Sequence, residues 1–263
     1  MKVKYALDIS MYETSFLGKA IQNRMTALSS ETVDDYLLLL ENSASESLEM
    51  VGQLSNSYST FFRNPLTFTC LEQIILPSLI GQKIMGQDKE IRIWSAACAS
   101  GQEAYSMAIL FDELAQNTKV SVSCHIFATD IDPSELDKAR SGVYRPEGIH
   151  NVSYKRIKTY FTQQGETFTL VDSPRKYVDF SVFDLLGQQC NCPPASVYGN
   201  FDLVFCSNLL FYYKPEYRQR IIDKAGNCLV NGGYLVTGET ERGMLNTSGY
   251  REVYPHSGIF QKR

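Results

Sequence analysis

Polar side chains recur along this chain at or just after the points where buried strands are predicted to end. Four such positions carry acidic, hydroxyl or amide groups: Glu103, Asp130, Asp184 and Ser207-Asn208. The carboxyl ends of parallel strands meet at one edge of an open sheet, and these folds bind their ligands there. Carboxylates at that edge accept hydrogen bonds from hydroxyl and amino groups. The pattern therefore predicts a site for a nucleoside ligand that carries positive charge.

The first of these positions follows a loop of small residues, Ser95–Gly101, between a predicted strand and a helix that begins at Gln102. Such a loop lets a ligand approach the backbone closely, and the N-terminus of a helix favours an anion. Glu103 in the first helical turn, however, would repel a pyrophosphate. Neither G-x-G-x-x-G nor G-x-x-x-x-G-K-[ST] is present, so dinucleotide and nucleoside triphosphate ligands lose support. A tight turn without a ligand stays open as the alternative.

Asp130 ends the second predicted strand, VSCHIFATD. An acid at this place can accept hydrogen bonds from both hydroxyls of a ribose. Its distance along the chain from the first loop is longer than in the dinucleotide fingerprint, because a long helix lies between them. The alternative role for Asp130 is a helix N-cap, but Asp132 fits that role better.

Arg63 directly follows Phe61 and Phe62, at the junction between a polar linker and the next predicted helix. An arginine held beside two aromatic residues in a cleft can grip a carboxylate with its planar guanidinium. An ordinary surface arginine is equally compatible with the sequence.

Composition limits the classes of protein to which this chain can belong. Its 263 residues suffice for one large domain, or for a core domain with a small appendage. The net charge of −4 argues against a general nucleic-acid binder. There is no apolar run of membrane-spanning length and no apolar core of a signal peptide, so we expect a cytoplasmic protein without membrane insertion.

Cysteine usage agrees with a reducing compartment. The seven cysteines are odd in number, and several lie inside predicted strands, which is typical of buried thiols and not of a disulfide framework. Cys190 and Cys192 form a C-x-C, but no second pair follows at zinc spacing and the chain has three histidines. We therefore expect no metal site.

The first 55 residues are predicted to form a small helical domain. An apolar stripe runs through the first helix, and Thr32 can cap a second one in which Val33, Tyr36, Leu37 and Leu40 face inward. Residues 1–30 carry four basic and two acidic side chains, a balance of +2, whereas residues 31–50 carry six acidic and no basic ones. Solvated helix faces explain the acidic segment most simply.

Beyond residue 90, strands and helices alternate, which predicts an α/β fold with a doubly wound, mostly parallel sheet. Residues 201–206 form a continuous apolar run typical of a central parallel strand. Residues 167–171 and 177–182 alternate as a β-hairpin, which we interpret as a β-subdomain, about residues 163–182, inserted in the main sheet. The expected domains are residues 1–55, a linker and connecting helix over 56–90, and residues 91–263.

Three segments taken together resemble the CheR-type chemotaxis receptor methyltransferases: IWSAACASGQEAYSMA, FATDIDPSELDKARSGVYR and FDLVFCSNLLFYYKPEYRQRII. The upstream segment STFFRNPLTF is similar too. The resemblance implies a small N-terminal helical domain and a Rossmann-like methyltransferase domain, with S-adenosylmethionine as the methyl donor and S-adenosylhomocysteine as the product. The implied reaction forms methyl esters on glutamates in the cytoplasmic helical region of chemoreceptors, and we expect a monomer.

The resemblance also assigns site residues. It places cofactor contacts on Ser57, Ser59, Arg63, Glu103, Asp130, Asp184, Leu185, Ser207 and Asn208. It places Tyr212 close to the transferred methyl group, and we assign Arg63 and Tyr212 to catalysis, with Arg63 orienting a carboxylate.

Departures from the family pattern keep other functions open. The family usually has arginine at the position of Ser207, a second acid at Gln102 and histidine-serine at residues 239–240. Its N-terminal helix is also more strongly basic than this one. Besides receptor methylation, methylation of another protein or a small acid stays open, as does a non-catalytic module that binds S-adenosylmethionine.

Overall fold

The computed structural model describes residues 9–54, 58–118, 122–188, 190–196, 198–245 and 247–263. Contacts divide the chain into two compact units. The first comprises Met1–Ser57 with Phe211–Arg218, and the second comprises Tyr58–Leu210 with Gln219–Arg263. The short segment Phe211–Arg218, which lies within the expected domain 91–263, therefore groups with the N-terminal helices.

The first unit is helical. A 3-10 turn, Ile9–Met11, precedes helices α1 (Thr14–Leu28), α2 (Val33–Asn42) and α3 (Ala44–Leu54). Their buried core consists of Ala20, Tyr36, Leu40, Met50 and Leu54. As predicted, the Thr32 side chain caps α2 by accepting a hydrogen bond from the Asp35 N–H, which satisfies a backbone donor that the helix leaves unpaired.

Two of the four side chains predicted to face inward on α2 do not. Tyr36 and Leu40 are buried, whereas Val33 and Leu37 are exposed. The two buried residues lie four positions apart and form one narrow stripe on the helix. Of the six acidic residues in segment 31–50, Glu46 is buried and the other five are exposed, as the solvated-face interpretation requires.

The second unit is built on a seven-stranded sheet with the order β6-β2-β1-β7-β8-β10-β9. Its strands are β1 (Glu90–Ala96), β2 (Ser123–Asp130), β6 (Val178–Val182), β7 (Phe201–Cys206), β8 (Leu229–Thr237), β9 (Tyr250–Glu252) and β10 (Ile259–Lys262). Strands β6, β2, β1, β7 and β8 pair in parallel, and β10 and β9 add antiparallel pairs at one edge. The predicted doubly wound, mostly parallel sheet is confirmed.

The strand order places a topological switch point between β1 and β7, because the chain proceeds from β1 towards β2 on one side and reaches β7 on the other. In such sheets the crevice at the carboxyl ends of the strands next to the switch point binds ligands. All six residues of β7 are buried, as its continuous apolar run predicted.

The predicted hairpin of residues 167–171 and 177–182 is wrong. Strand β5 (Thr167–Leu170) instead pairs antiparallel with β4 (Phe161–Gln164) and with β3 (Val143–Tyr144), which makes a separate three-stranded sheet. Strand β6 pairs in parallel with β2 in the main sheet. The inserted subdomain therefore lies earlier in the chain than expected, and a helical turn, Asp172–Arg175, separates β5 from β6.

The remaining helices of the chain connect these strands. They are α4 (Pro65–Cys70), a π-helical segment (Leu71–Ile75), α5 (Leu76–Met85), α6 (Gln102–Thr118), α7 (Pro133–Ser141), α8 (Pro146–Ile149), α9 (Tyr154–Tyr160), α10 (Asp172–Arg175) and α11 (Pro215–Cys228), with 3-10 turns at Leu210–Tyr212, Glu239–Met244 and Thr247–Gly249. Asp132 caps α7 as predicted. None of the helices in the described part of the chain is long and apolar enough to cross a membrane.

Candidate cofactor-binding site

The loop between β1 and α6 is held in an unusual backbone conformation. Ala97, Ala99 and Gly101 all have positive φ angles, of 58°, 49° and 86°, which residues other than glycine rarely adopt. The Cys98 N–H donates to the Thr129 carbonyl at 2.8 Å, so the loop is tied to the end of β2. A Cβ at residue 101 would lie 2.8 Å from the Ala139 Cβ, which explains the glycine there.

Glu103, in the first turn of α6, is a partly buried carboxylate whose neighbours are hydroxyl groups. The Ser95 hydroxyl donates to Glu103 Oε1 at 2.6 Å. Burial raises the pKa of Glu103 to about 7, while hydrogen bonds from Ser95 and Ser207 and the charge of Arg63 act in the opposite direction. The carboxylate therefore remains only partly compensated, and a ligand cation would stabilise its ionised form.

Ser207 and Asn208 follow β7, where the chain makes a tight turn with Asn208 in the left-handed region at φ 63°. The turn is anchored by Glu241, a fully buried residue in the 3-10 turn after β8. Its carboxylate accepts the N–H groups of Asn208 at 2.6 Å, Leu210 at 2.7 Å and Gly238 at 2.8 Å. Glu241 thereby fixes the backbone after both β7 and β8.

Sequence reasoning missed Glu241. The available signal was an acid that follows the predicted strand 234–238 and therefore lies at the same sheet edge as the other acids. A residue that acts through three backbone N–H groups leaves no recognisable spacing in the sequence.

Asp130 lies at the carboxyl end of β2 and is 6% exposed. Its two carboxylate oxygens accept the N–H groups of Ala99 at 2.8 Å and Asp132 at 3.0 Å. Burial raises the pKa of Asp130, and the two backbone hydrogen bonds act against that rise. Asp130 thus supports the first loop in addition to facing the sheet edge, a role that the sequence did not indicate.

Asp184 and Leu185 continue from β6, the neighbour of β2. The Phe183 N–H donates to the Asp130 carbonyl at 3.0 Å, which sets this segment beside the end of β2. Asp184 is exposed, and its Oδ1 accepts the Leu186 N–H at 2.8 Å. Asp184 is therefore more exposed to solvent than Glu103 or Asp130.

Arg63 follows Phe61 and Phe62, which are both buried, and is itself half-buried. Phe62 has a positive φ of 51°, and its N–H donates to the Ser106 hydroxyl at 2.9 Å, so the backbone before Arg63 is attached to α6. The Arg63 guanidinium donates to the Tyr58 carbonyl at 2.8 Å and lies 5.6 Å from the centroid of the Tyr58 ring. The structure therefore orients Arg63, and its charge acts on Glu103.

Three further predicted residues are placed less fully. Ser59 is half-buried next to the buried Thr60, and Ser57 lies outside the described residues. Tyr212 belongs to the first unit, where its ring packs against Phe16 with centroids 4.7 Å apart. The second unit thus carries seven of the predicted site residues. Arg63 precedes α4, and six lie after neighbouring strands or at their ends: Glu103, Asp130, Asp184, Leu185, Ser207 and Asn208.

Comparison with known proteins identifies the family of this chain. Residues 57–256 match the model of the family described as CheR methyltransferase, SAM binding domain. The chain belongs to the CheR methyltransferase family. A chemotaxis protein methyltransferase from Borreliella burgdorferi is 32% identical over 247 residues, covering 92% of this chain and 86% of that protein. Chemotaxis protein methyltransferase 1 from Pseudomonas aeruginosa is 33% identical over 81% of this chain and 76% of that one.

A chemotaxis protein methyltransferase from Listeria monocytogenes is also similar, at 28% identity over 95% of this chain and 89% of its own. CheR methyltransferases use S-adenosylmethionine as methyl donor, and the predicted cofactor is confirmed. The donor set of this edge fits it: carboxylates suit the amino group and ribose hydroxyls, and a guanidinium suits the carboxylate. Among the described residues, no cluster of three or more metal-ligating side chains is found.

Proposed function

We propose that this CheR methyltransferase transfers methyl groups from S-adenosylmethionine to glutamate carboxylates of methyl-accepting chemotaxis receptors. Family membership and the names of its relatives support the proposal, and the sheet edge is consistent with it. The observation that carries the cofactor part is Glu103, a partly buried carboxylate beside the switch point of the sheet, whose pKa is raised to about 7 by burial. An acid in that state favours a ligand cation over a phosphate.

Each cofactor group has a suitable partner along the edge. Glu103 would hold the amino group, and the remaining lone pairs of Asp130 would accept the ribose hydroxyls. Asp184 and Leu185 would flank the adenine, after the edge strand β6. Ser207 and Asn208 would line the site from β7, held in place by Glu241.

The chemistry asks little of the protein besides placement. Bound S-adenosylmethionine supplies a methyl group activated by its sulfonium. A substrate glutamate is ionised at neutral pH, with an ordinary pKa of about 4.3, so no general base is needed. Alignment of the carboxylate and removal of its water contribute roughly 7–11 kcal/mol at best.

Arg63 would orient a carboxylate of the cofactor or the substrate. Its backbone lies between the buried Phe62 and helix α4, which begins at Pro65. The carbonyl of Tyr58 orients its guanidinium. Tyr212 would line the methyl path. That role rests on the family resemblance alone.

The direct test supplies cofactor labelled with tritium in the methyl group to the full chain and a purified cytoplasmic receptor fragment. Label on the receptor that mild base releases as methanol is expected, because a glutamate methyl ester hydrolyses under those conditions. Calorimetric binding of the cofactor without any transfer would overturn the enzyme proposal and favour a non-catalytic binding module.

Arg63→Ala and Tyr212→Phe test the two catalytic assignments. Each variant should lose at least tenfold in kcat/KM while its melting temperature stays within a few degrees of the wild type. Wild-type transfer rates in both purified variants would refute the assignments but leave the receptor substrate standing.

One observation favours a second candidate, methylation of another protein or a small acid. Of the two basic residues on α1, Arg24 is paired with the buried Glu46, with Nη2–Oε2 at 2.6 Å and Nε–Oε1 at 2.9 Å. Lys19 is the other basic side chain of the helix. Because Arg24 is paired with Glu46, less positive surface is available to bind an acidic receptor. Base-labile label on small acids or other proteins, with none on receptor fragments, would support this candidate.

A further inference from the structure

One face of helix α11 holds the segment that follows β6. Three residues spaced four apart, Arg220, Lys224 and Cys228, lie on that face. Arg220 donates to the Leu186 carbonyl at 3.1 Å. Lys224 Nζ donates to the carbonyls of Gly187 at 2.6 Å and Cys190 at 3.1 Å.

The last position on this face is a thiol. Cys228 Sγ donates to the Asn191 carbonyl at 3.1 Å and lies 3.1 Å from Cys192 Sγ. Two sulfur atoms in a disulfide are about 2.05 Å apart, so a shift of about 1 Å joins these two. Cys228 is 3% exposed and Cys192 is half-buried, so a reagent in solution reaches Cys192 first.

The surroundings of the pair are closely fitted. Gly199 has φ 64°, and a Cβ added there would lie 3.1 Å from Cys192 Sγ and 3.4 Å from the Cys228 Cα. A side chain at residue 199 would therefore push between the two cysteines, and the glycine lets them approach each other.

Two lysines near Cys228 partly offset the effect of burial on its thiol. Burial and the hydrogen bond with Cys192 raise the pKa of Cys228 to about 12, whereas Lys224 and Lys262 lower it. The hydrogen bond with the Cys192 thiol is lost once Cys192 has reacted, so the attacking thiolate becomes easier to form at that moment.

We propose that Cys192 and Cys228 form a reversible disulfide site that fastens the segment after β6 to helix α11. Cys190, exposed on the same segment, is not part of it. The site reacts with a low-molecular-weight disulfide of the glutathione class.

Two exchange steps complete the reaction. The Cys192 thiolate attacks one sulfur of glutathione disulfide, a mixed disulfide forms, and a glutathione thiolate leaves. The Cys228 thiolate then attacks the Cys192 sulfur and expels the second glutathione thiolate. The two protons of the cysteine thiols end on the two glutathione molecules, so two cysteines are oxidised and one glutathione disulfide is reduced.

The test treats the reduced full-length chain with glutathione disulfide, blocks the remaining thiols by alkylation, and maps disulfides by mass spectrometry of peptides. A Cys192–Cys228 link and a rise in melting temperature of roughly 5–10 °C are expected, because the link closes a loop of 36 residues in the unfolded chain. Dithiothreitol should reverse both changes.

Cys190→Ser is the matched control, two residues from the reacting thiol, and it should behave like the wild type. Cys192→Ser should lose the thermal shift; it keeps the test interpretable if Cys228→Ser, a change in the core, fails to fold. A link that involves Cys190, or a mixed disulfide on Cys192 that never closes, would overturn the proposal. The readouts are sulfur connectivity and melting temperature, so the outcome is independent of the proposed function.

Discussion

The two edges of the parallel sheet use acidic side chains in opposite ways. At the amino edge, Asp202 is 5% exposed. Its carboxylate pairs with Lys83 Nζ at 3.1 Å and accepts the Arg92 N–H at 2.8 Å. At the carboxyl edge, Glu103 has hydroxyl neighbours, and the positive charge of Arg63 lowers its pKa against the effect of burial.

The cationic side chains at the amino edge also have hydrogen-bond or ion-pair partners. The Arg92 guanidinium bonds to Glu90, Ser196 and the Gly199 carbonyl. Lys83 also pairs with Asp88 at 2.6 Å. Charges at this edge therefore compensate one another, whereas Glu103 at the carboxyl edge is only partly compensated until a ligand supplies a cation. The difference separates acids that serve the fold from acids that serve binding.

The largest expected effect follows from Glu103→Gln. Affinity for S-adenosylhomocysteine, measured by calorimetry, should fall roughly 100-fold, because a charge-assisted hydrogen bond contributes about 1.5–3 kcal/mol. The melting temperature of the free protein should hold or rise, since a partly buried and incompletely compensated charge is removed.

Asp202→Asn is the matched control at the other edge. It should cost about 2 kcal/mol of folding free energy by leaving Lys83 less compensated, and it should change cofactor affinity less than threefold. Equal losses of affinity in both variants would abolish the distinction between the edges.

Glu241→Gln sharpens the comparison within the carboxyl edge. The amide must turn its NH₂ group towards at least one of the N–H groups of Asn208, Leu210 and Gly238. Affinity for S-adenosylhomocysteine should fall roughly 20-fold and the melting temperature should fall too.

Its control is Glu252→Gln, which breaks the pair with Arg242 at 2.7 Å. That variant should lower the melting temperature but leave affinity unchanged. A Glu241→Gln protein that loses only stability would show that the turn after β7 does not position the cofactor.

Cofactor affinity should depend on pH through Glu103. Burial raises the pKa of this acid to about 7, so it gains its charge between about pH 6 and pH 8. Binding of a ligand cation should strengthen about tenfold across that window, as calorimetry at pH 6, 7 and 8 would measure. Glu103→Gln should give a flat profile, and a wild-type profile equally flat would contradict the assignment.

The stability of the free protein responds with the opposite sign. A raised folded-state pKa favours the protonated acid, so the contribution of Glu103 is complete below its ordinary value of 4.5 and is lost as pH rises through 7.

The smallest effect is expected from Ser207→Arg, which introduces the cation usual in the family. A guanidinium near Glu103 should keep the carboxylate ionised, raise affinity for S-adenosylhomocysteine at pH 6 about threefold and flatten the pH profile. Ser207→Ala, which removes a hydroxyl that lowers the pKa of Glu103, should weaken affinity at pH 7 about twofold. The same calorimetric series measures both variants, and a steeper profile for Ser207→Arg would refute this explanation.

Local patterns predicted much of the fold because they report local physics. The unbroken apolar run 201–206 indicated a fully buried strand, and Thr32 and Asp132 marked helix starts through their own hydrogen bonds. Acids at successive strand ends indicated the ligand edge before any family was considered.

Strand partners could not be predicted in the same way. Segments 167–171 and 177–182 both alternate, and alternation says nothing about which strand lies alongside. Strand β6 pairs with β2, some 50 residues away, and this pairing depends on the whole sheet. Glu241 escaped prediction for a similar reason, since its hydrogen-bond partner Asn208 lies 33 residues earlier.

The first unit is assembled from two distant parts of the chain. The Glu13 N–H donates to the Tyr212 carbonyl and the Lys214 N–H to the Met11 carbonyl, and Arg218 pairs with Glu13. During synthesis at about 5–20 residues per second, the segment that supplies these partners is made roughly 8–30 s after residue 57. The N-terminal helices therefore leave the ribosome early but complete their hydrogen bonds late, when most of the second unit has already been translated.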